Sequence, residues 1–224
     1  GWVMEYYVGK DYSLGGITLL CKFDGQRVTM ASQIAGADET VSSLYSVKSE
    51  QATMLSFDTY NYLVHYFGQP QGSMADDPNG TLGGDYEFVI SDATADRIEL
   101  KGKKYGNRIV MKAFSADQTW KQYLTRIKKV EDDAFFYEYD LRMDGLYTGQ
   151  MLRSNYTFIV TYYDEVGKVH QKTVPFMFTT DGMRFHEPVT IDGQTMQNFV
   201  WKNEEISFVC TDEGATEVKL AGVY

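Results

Sequence analysis

The sequence predicts a mainly β protein (α+β at most), built from antiparallel meander sheets or a barrel-like pair, with one amphipathic helix near residues 117–131. Aromatic residues make up 15% of the 224 residues, and Gly is frequent (20) while Pro is rare (4). Most apolar residues alternate with polar ones, as in pleated strands joined by tight turns. The 43% of hydrophobic and 23% of charged residues exclude a disordered chain.

The first half is typical of a β-meander. Residues 17–23 alternate, Asp24-Gly25 marks a hairpin turn, and residues 27–30 return. A loop rich in Gly, Pro, Asp and Asn occupies residues 68–84, and its length exceeds that of most connections. Further strands are predicted at residues 43–47, 54–57, 85–90, 97–100 and 109–114.

The pattern changes after residue 115, where apolar residues recur at spacings of three and four. Such a stripe is typical of an amphipathic helix, and Ser115 or Asp117 is the expected N-cap. The residues of the stripe are Trp120, Tyr123, Leu124, Ile127 and Val130. Strands are then predicted at residues 135–143, 156–163, 169–173, 176–179, 198–201, 206–210 and 218–223.

These elements predict three parts: a β-meander domain at 1–115, a connecting helix at 116–132, and a second β-meander half at 133–224. The order of strands is similar in the two halves, and residues 55–59 parallel residues 176–180. A duplicated sheet around the helix is therefore one hypothesis. The other is that any two β-meanders resemble each other at this level.

The balance of charge excludes some partners. Lys and Arg total 21 and Asp and Glu total 31, so the net charge of −10 disfavours binding to nucleic acid. No run of residues is apolar enough to cross a bilayer as a helix. The chain begins at Gly1-Trp2 without Met, so we expect a trimmed or processed product, in which any upstream signal segment or lipid anchor would not be visible.

The two cysteines, Cys21 and Cys210, each share an alternation face with apolar residues. Buried thiols in the core are one interpretation, because free Cys behaves as a small apolar side chain. A disulfide between terminal strands is the other, and it requires those strands to be neighbours.

No catalytic signature emerges from the motifs. His186-Glu187 begins like a zinc-protease motif, but Pro188 follows and the second histidine is missing. No Gly-x-Ser-x-Gly motif and no phosphate-binding glycine loop occur, so we predict no catalytic residues and no cofactor. The acidic pairs Asp132-Asp133 and Glu204-Glu205 discriminate little in an acidic protein.

The segment from Leu55 to Phe67 is the strongest candidate for ligand binding. If it is extended, its polar face carries four residues that together form a tyrosine stripe beside a carboxylate: Asp58, Tyr60, Tyr62 and Tyr66. Such rings bind flat ligands over a large contact area at low entropic cost. Cross-strand packing of aromatic residues is a sufficient structural reason for the same pattern and is the favoured interpretation. His65 falls on the apolar face and is expected in the core.

A calcium site is a weaker candidate in the long loop. Asp76, Asp77 and Asp85 offer the hard oxygen ligands that calcium takes, although their spacing is not that of an EF-hand loop. A solvated acidic loop is the favoured interpretation.

Several segments resemble an uncharacterised family of predicted lipoproteins from gut Bacteroidetes, known as a domain of unknown function. The resemblance covers most of residues 1–130. It is carried by Gly1-Trp2, Tyr6-Tyr7, Gly15-Gly16, Phe23-Asp24-Gly25, Val28-Thr29-Met30, Ser43-Leu44-Tyr45, residues 55–61, His65-Tyr66-Phe67, residues 83–88, residues 101–104, Trp120 and Tyr123-Leu124.

The resemblance implies an exported protein that is lipidated upstream and held at the outer membrane or cell surface. The acidic charge, the aromatic strands, the long polar loop and the lack of a catalytic signature lead us to expect a non-enzymatic binding or accessory module for a glycan, a peptide or an outer-membrane partner protein. A structural or adhesion module and a hydrolase with an unrecognised site are the alternatives. The sequence predicts no oligomeric state.

Overall fold

The computed structural model describes residues 1–49, 51–70, 81–164 and 166–224. Strands make up 55% and helical segments 13% of these described residues, which confirms the mainly β prediction. The chain divides into two compact units, Gly1–Leu124 and Thr125–Tyr224. Each unit contains one closed, eight-stranded antiparallel barrel, so the prediction of a barrel-like pair is confirmed as well.

Barrel 1 is an up-and-down barrel in which each strand pairs with its neighbours in sequence. Closure comes from the pairing of the last strand with the first, in a register that runs from Trp2 opposite Ala113 to Tyr7 opposite Arg108. The strands are β1 Trp2–Val8, β2 Gly15–Asp24, β3 Arg27–Ser32, β4 Val41–Ser49, β5 Thr53–Phe57, β6 Glu87–Ala93, β7 Arg97–Gly102 and β8 Arg108–Ala113.

Two α-helices lie in the described parts of the chain, α1 at Tyr62–His65 and α2 at Trp120–Asp133. The prediction of a helix near 117–131 is confirmed, but its expected N-cap is wrong. Thr119 and Gln122 form a capping box, in which Gln122 N donates to Thr119 Oγ1 (3.2 Å) and Thr119 N donates to Gln122 Oε1 (2.8 Å). This reciprocal pair places the helix start after Thr119.

The apolar stripe of α2 is buried, as its spacing predicts. Leu124 packs in one cluster with Val3, Leu20 and Ala31, on the outer face of β1, β2 and β3. Ile127 and Val130 continue the stripe and are buried too. This packing explains why β2 carries adjacent apolar residues instead of a strict alternation.

Barrel 2 repeats the up-and-down order and closes through pairing of its last strand with its first, Val223 lying opposite Glu138. Its interior is rich in phenylalanine, and the rings of Phe158 and Phe176 stack at 4.4 Å. The strands are β9 Glu138–Met143, β10 Leu146–Ser154, β11 Thr157–Tyr163, β12 Val169–Phe178, β13 Gly182–Ile191, β14 Gln194–Lys202, β15 Ser207–Cys210 and β16 Lys219–Val223.

The prolines of barrel 2 occupy places where no ladder hydrogen bond is needed. Pro175 lies inside β12, which the sequence predicts as two separate strands. It stands where the pairing of β12 changes from β11 (Thr157 opposite Pro175) to β13 (Phe176 opposite Phe185). Pro188 lies in an irregular stretch of β13, between Arg184 and Val189, where the register shifts. Both positions follow from the missing N–H of proline.

Both thiols are free and buried, so the disulfide interpretation is wrong. Cys21 shares the inward face of β2 with Leu19, and Cys210 shares that of β15 with Phe208. Each sulfur therefore points into the core of its own barrel. Burial raises the pKa of Cys21 and raises the pKa of Cys210 to about 11.

We expect both cysteines to resist alkylation in the folded protein, because the thiol is buried and its reactive thiolate is disfavoured. Iodoacetamide labelling at pH 8, followed by intact-mass spectrometry, should be at least about 1,000-fold slower in native protein than in urea, since labelling requires opening of the core. The denatured protein, which should take up two labels, is the control. Native labelling at the denatured rate would contradict the burial of the thiols.

Candidate functional site

The tyrosine segment leaves the sheet before its tyrosines are reached. Strand β5 ends at Phe57, and Asn61 caps helix α1 by accepting a hydrogen bond from Leu63 N (3.2 Å). The Asn61 amide also donates to Ser43 Oγ (3.1 Å) and is completely buried. The extended conformation that would place the four predicted residues on one face therefore ends at Phe57. A cap residue and a side-chain partner distant in sequence outweigh the alternating pattern.

Three rings instead form a row at one end of barrel 1, which we call the aromatic row: Tyr60, His65 and Tyr86. The His65 ring stacks on Tyr86 at 4.7 Å with 20° between the planes, and it lies 5.6 Å from Tyr60. Tyr60 is 62% exposed and Tyr86 is 43% exposed. His65 is half-buried between them instead of lying in the core as expected. The row is thus an exposed aromatic surface with an imidazole at its centre.

Hydrogen bonds fix the row in place. His65 Nδ1 lies 3.0 Å from Asn61 O and 3.2 Å from Asn61 N, so the backbone at the start of α1 orients the imidazole. Gln69 Nε2 donates to the Tyr60 hydroxyl (2.6 Å). Phe57 N donates to Tyr86 O (3.1 Å) and ties the third ring to the end of β5. Rings held in this way bind a ligand with little loss of conformational entropy.

The predicted site residues Tyr62 and Tyr66 make contacts outside the row. Tyr66 is exposed and packs edge-on against Phe67 (5.3 Å). The Tyr62 hydroxyl donates to Glu39, a bond that raises the pKa of Tyr62 to about 12.

Asp58 belongs to a different part of barrel 1. It accepts from Ser56 Oγ (2.7 Å) and pairs with Lys48 (3.4 Å). It also lines a cavity of about 420 Å³ together with Tyr45. The four predicted residues therefore do not share one face, and of the four only Tyr60 belongs to the row.

His65 and Tyr86 were missed as site residues. The alternation of residues 55–67 placed His65 in the core, and Tyr86 comes much later in the sequence, at the start of another predicted strand. No local pattern marked Tyr86 as a site residue, since it is a single tyrosine directly before β6. The pairing of β5 with β6 brings the start of β6 beside the end of β5, where Leu55 lies opposite Phe88.

Of the calcium candidates, Asp76 and Asp77 lie outside the described residues. Asp85 is buried, and its carboxylate accepts hydrogen bonds from the backbone N–H groups of Lys104 (2.8 Å), Tyr105 (3.0 Å) and Asn107 (3.1 Å) and from the Asn107 amide (2.9 Å). These donors favour a structural role for Asp85 in holding the β7–β8 connection. In the ranges that the structure covers, no three His, Cys, Asp or Glu side chains are grouped as metal ligands. The calcium site stays a prediction.

No helix among the described residues is long and apolar enough to span a membrane.

The fold and the row place the chain in the class of all-β proteins built from closed barrels, with an exposed aromatic surface on one barrel. Residues 1–203 match the model of a family described as a domain of unknown function (DUF4302), and the chain belongs to this family. The comparison with curated proteins and the comparison with solved structures each found no match.

Replacement of Asp85 by alanine should lower the stability of barrel 1 strongly. It would leave several N–H groups buried without an acceptor, at an expected cost of about 3 kcal/mol in the free energy of unfolding. Urea unfolding followed by circular dichroism would measure the loss.

Asp58→Ala is the matched control for this experiment. Because the Asp58–Lys48 pair is exposed, its loss should cost about 1 kcal/mol or less. If the two variants unfold at the same urea concentration, a structural role for Asp85 is contradicted.

Proposed function

We propose that this chain is a non-enzymatic binding module of the cell envelope that holds a glycan against the aromatic row of barrel 1. The observation that carries the proposal is the pair of exposed tyrosines, Tyr60 and Tyr86, on either side of His65. Large rings left in contact with water forfeit the free energy of their burial, and contiguous exposed apolar surface commonly marks a binding site.

A glycan suits the chemistry of the row better than a nucleic acid or an acidic ligand does. The face of a sugar ring carries C–H groups that pack on flat aromatic surfaces, and its hydroxyls can bond to the tyrosine hydroxyls at the rim. The net charge of −10 disfavours polyanions. A peptide with aromatic or proline residues is the other class that such rings accept, and the experiment below distinguishes it.

The exported location belongs to the same proposal. It is supported by the resemblance of residues 1–130 to predicted envelope lipoproteins, and it implies a lipidated cysteine upstream of Gly1. Metabolic labelling of the complete gene product with a palmitate analogue tests it. An unlabelled protein that fractionates with the soluble contents of the cell would refute the lipid anchor without affecting glycan binding.

The binding proposal predicts that the double variant Tyr60→Ala/Tyr86→Ala loses glycan affinity and keeps its fold. A ligand that binds only the native state raises the melting temperature, so thermal-shift screening against neutral and acidic oligosaccharides and peptides identifies the class of ligand. Calorimetry should then show an affinity for the selected glycan that is at least about tenfold weaker in the variant, since each ring contact contributes roughly 1 kcal/mol.

Tyr163→Ala is the matched control, because it removes an equally exposed tyrosine from barrel 2. We expect it to bind the selected glycan as tightly as the original chain. Undiminished binding by the Tyr60→Ala/Tyr86→Ala variant would exclude the row as the site, and stabilisation by peptides alone would replace the glycan by a peptide ligand.

A structural or adhesion role is the second candidate, and an exposed apolar patch on barrel 2 favours it. Leu146 and Tyr147 lie on the β9–β10 hairpin, and Tyr163 and Val169 face each other next to the turn of the β11–β12 hairpin. All four side chains are exposed. If the patch joins copies of the chain, sedimentation should depend on concentration and Leu146→Ser/Val169→Ser should abolish that dependence. A monomer at all concentrations would argue against self-association.

A further inference from the structure

A second cavity lies where helix α2 leads into barrel 2, and we call it the basal cleft. Its volume is about 440 Å³. Aromatic walls come from Phe135 and Tyr137, in the segment between α2 and β9, and from Tyr156, in the β10–β11 turn. Arg153 and Glu131 form its polar floor. The volume is at the lower end of the range for small-molecule sites, so the cleft suits a short ligand.

The floor is a loose ion pair. Only 10% of the Arg153 side chain is exposed, yet its Nη2 lies 3.8 Å from Glu131 Oε1, which is beyond hydrogen-bond distance. Arg153 Nε donates to Asn155 O (3.0 Å), and Tyr156 donates from its hydroxyl to Glu131 Oε1 (2.7 Å). A guanidinium donor and a carboxylate acceptor therefore stand side by side at the cavity without bonding directly to each other.

Part of this arrangement has a structural explanation. Arg153 Nη1 and the Tyr139 hydroxyl both donate to Ala134 O, just beyond the end of α2, where a positive charge also complements the helix dipole. The guanidinium lies 5.0 Å from the Phe178 ring and 5.5 Å from the Phe135 ring. Burial raises the pKa of Tyr139 to about 12, against the opposing charge of Arg153. The helix end thus explains the buried arginine.

The helix end does not explain the aromatic walls. Phe135 is 76% exposed and Tyr137 is 71% exposed, so neither ring contributes its burial to the core. These two large rings, which line the same cavity as the Arg153–Glu131 ion pair, leave a considerable apolar area in contact with water. A ligand that covers these rings would recover that free energy.

The charges select the class of ligand. Arg153 and Glu131 neutralise each other, and the whole chain carries −10, so an anionic ligand would compete with Glu131 against an unfavourable field. A hydroxyl group can accept from Arg153 and donate to Glu131 at once. Neighbouring hydroxyls on a ring with apolar C–H faces match both the floor and the walls.

From this geometry we infer that the basal cleft is a second binding site, which takes a neutral sugar unit of a glycan. The site is independent of the aromatic row of barrel 1, because its walls and floor all come from barrel 2 and the end of α2. Either site can bind if the other does not.

The test uses the full chain and two double variants, Phe135→Ala/Tyr137→Ala at the cleft and Tyr60→Ala/Tyr86→Ala at the row, with Tyr163→Ala as control. Neutral gluco-, manno-, galacto- and xylo-oligosaccharides and uronic-acid oligosaccharides are the probes in calorimetry. We expect the row variant to retain one site for a neutral probe, and the cleft variant to bind that probe at least about tenfold more weakly at this site.

Three results would overturn the inference: no neutral probe binds to the row variant, the cleft variant binds the neutral probes undiminished, or only acidic probes depend on Phe135 and Tyr137. Loss of all binding in the row variant would refute the cleft and leave the row as the site. Loss of all binding in the cleft variant would refute the row and leave the cleft as the site. The failure of this inference is thereby distinct from the failure of the proposed function.

Glu131→Gln tests the charge argument without removing volume. It leaves the Arg153 charge without its partner, so binding of uronic-acid probes relative to neutral ones should rise about fivefold, the size of effect expected for a partly exposed ion pair. Glu187→Gln, on an exposed part of β13, changes the net charge equally outside the cleft and should leave the ratio unchanged. A purely structural role for Glu131 predicts the same ratio in both variants, and that result would refute the polar floor as part of the site.

Discussion

Closure of each sheet by pairing of its eighth strand with its first is the constraint on which the other features depend. In barrel 1 that pairing joins β8 to β1, and in barrel 2 it joins β16 to β9. A closed sheet has no edge strand, so its backbone groups are paired all round and one face of every strand turns inward. The inward residues then fill the interior, which in barrel 2 consists largely of stacked and edge-on phenylalanines.

Because the strands of a closed barrel pair with each other, the polar groups that still need hydrogen-bond partners lie at the two ends of the barrel. In barrel 1 the buried Asp85 collects backbone N–H groups of the β7–β8 connection, and Gly102 allows its close approach, since a Cβ atom there would lie 1.8 Å from Asp85 Oδ2. In barrel 2 the buried Arg153 bonds to the backbone beyond the end of α2. Both groups are costly to bury and are stabilised by several polar partners.

The same ends carry the two aromatic surfaces. Connections are free of the ladder that fixes the strands, so they can hold rings such as Tyr60 and Phe135 in exposed positions on a rigid support. The row is fixed by Asn61 and Gln69, and the cleft is fixed by the network around Arg153.

Local patterns in the sequence determined the fold class, the helix stripe and most strands, because alternation and Asp-Gly turns act over a few residues. They did not reveal β1, β10 or β13, although Asp144-Gly145, with φ values of 50° and 79°, repeats the hairpin signal just before β10. Pro188 obscured β13, since only a register shift accommodates it. Only the tertiary structure showed that the barrels close, that the thiols of Cys21 and Cys210 are free, and that the His65 ring stacks on Tyr86. These depend on contacts between residues distant in sequence, whose free energy no local pattern contains.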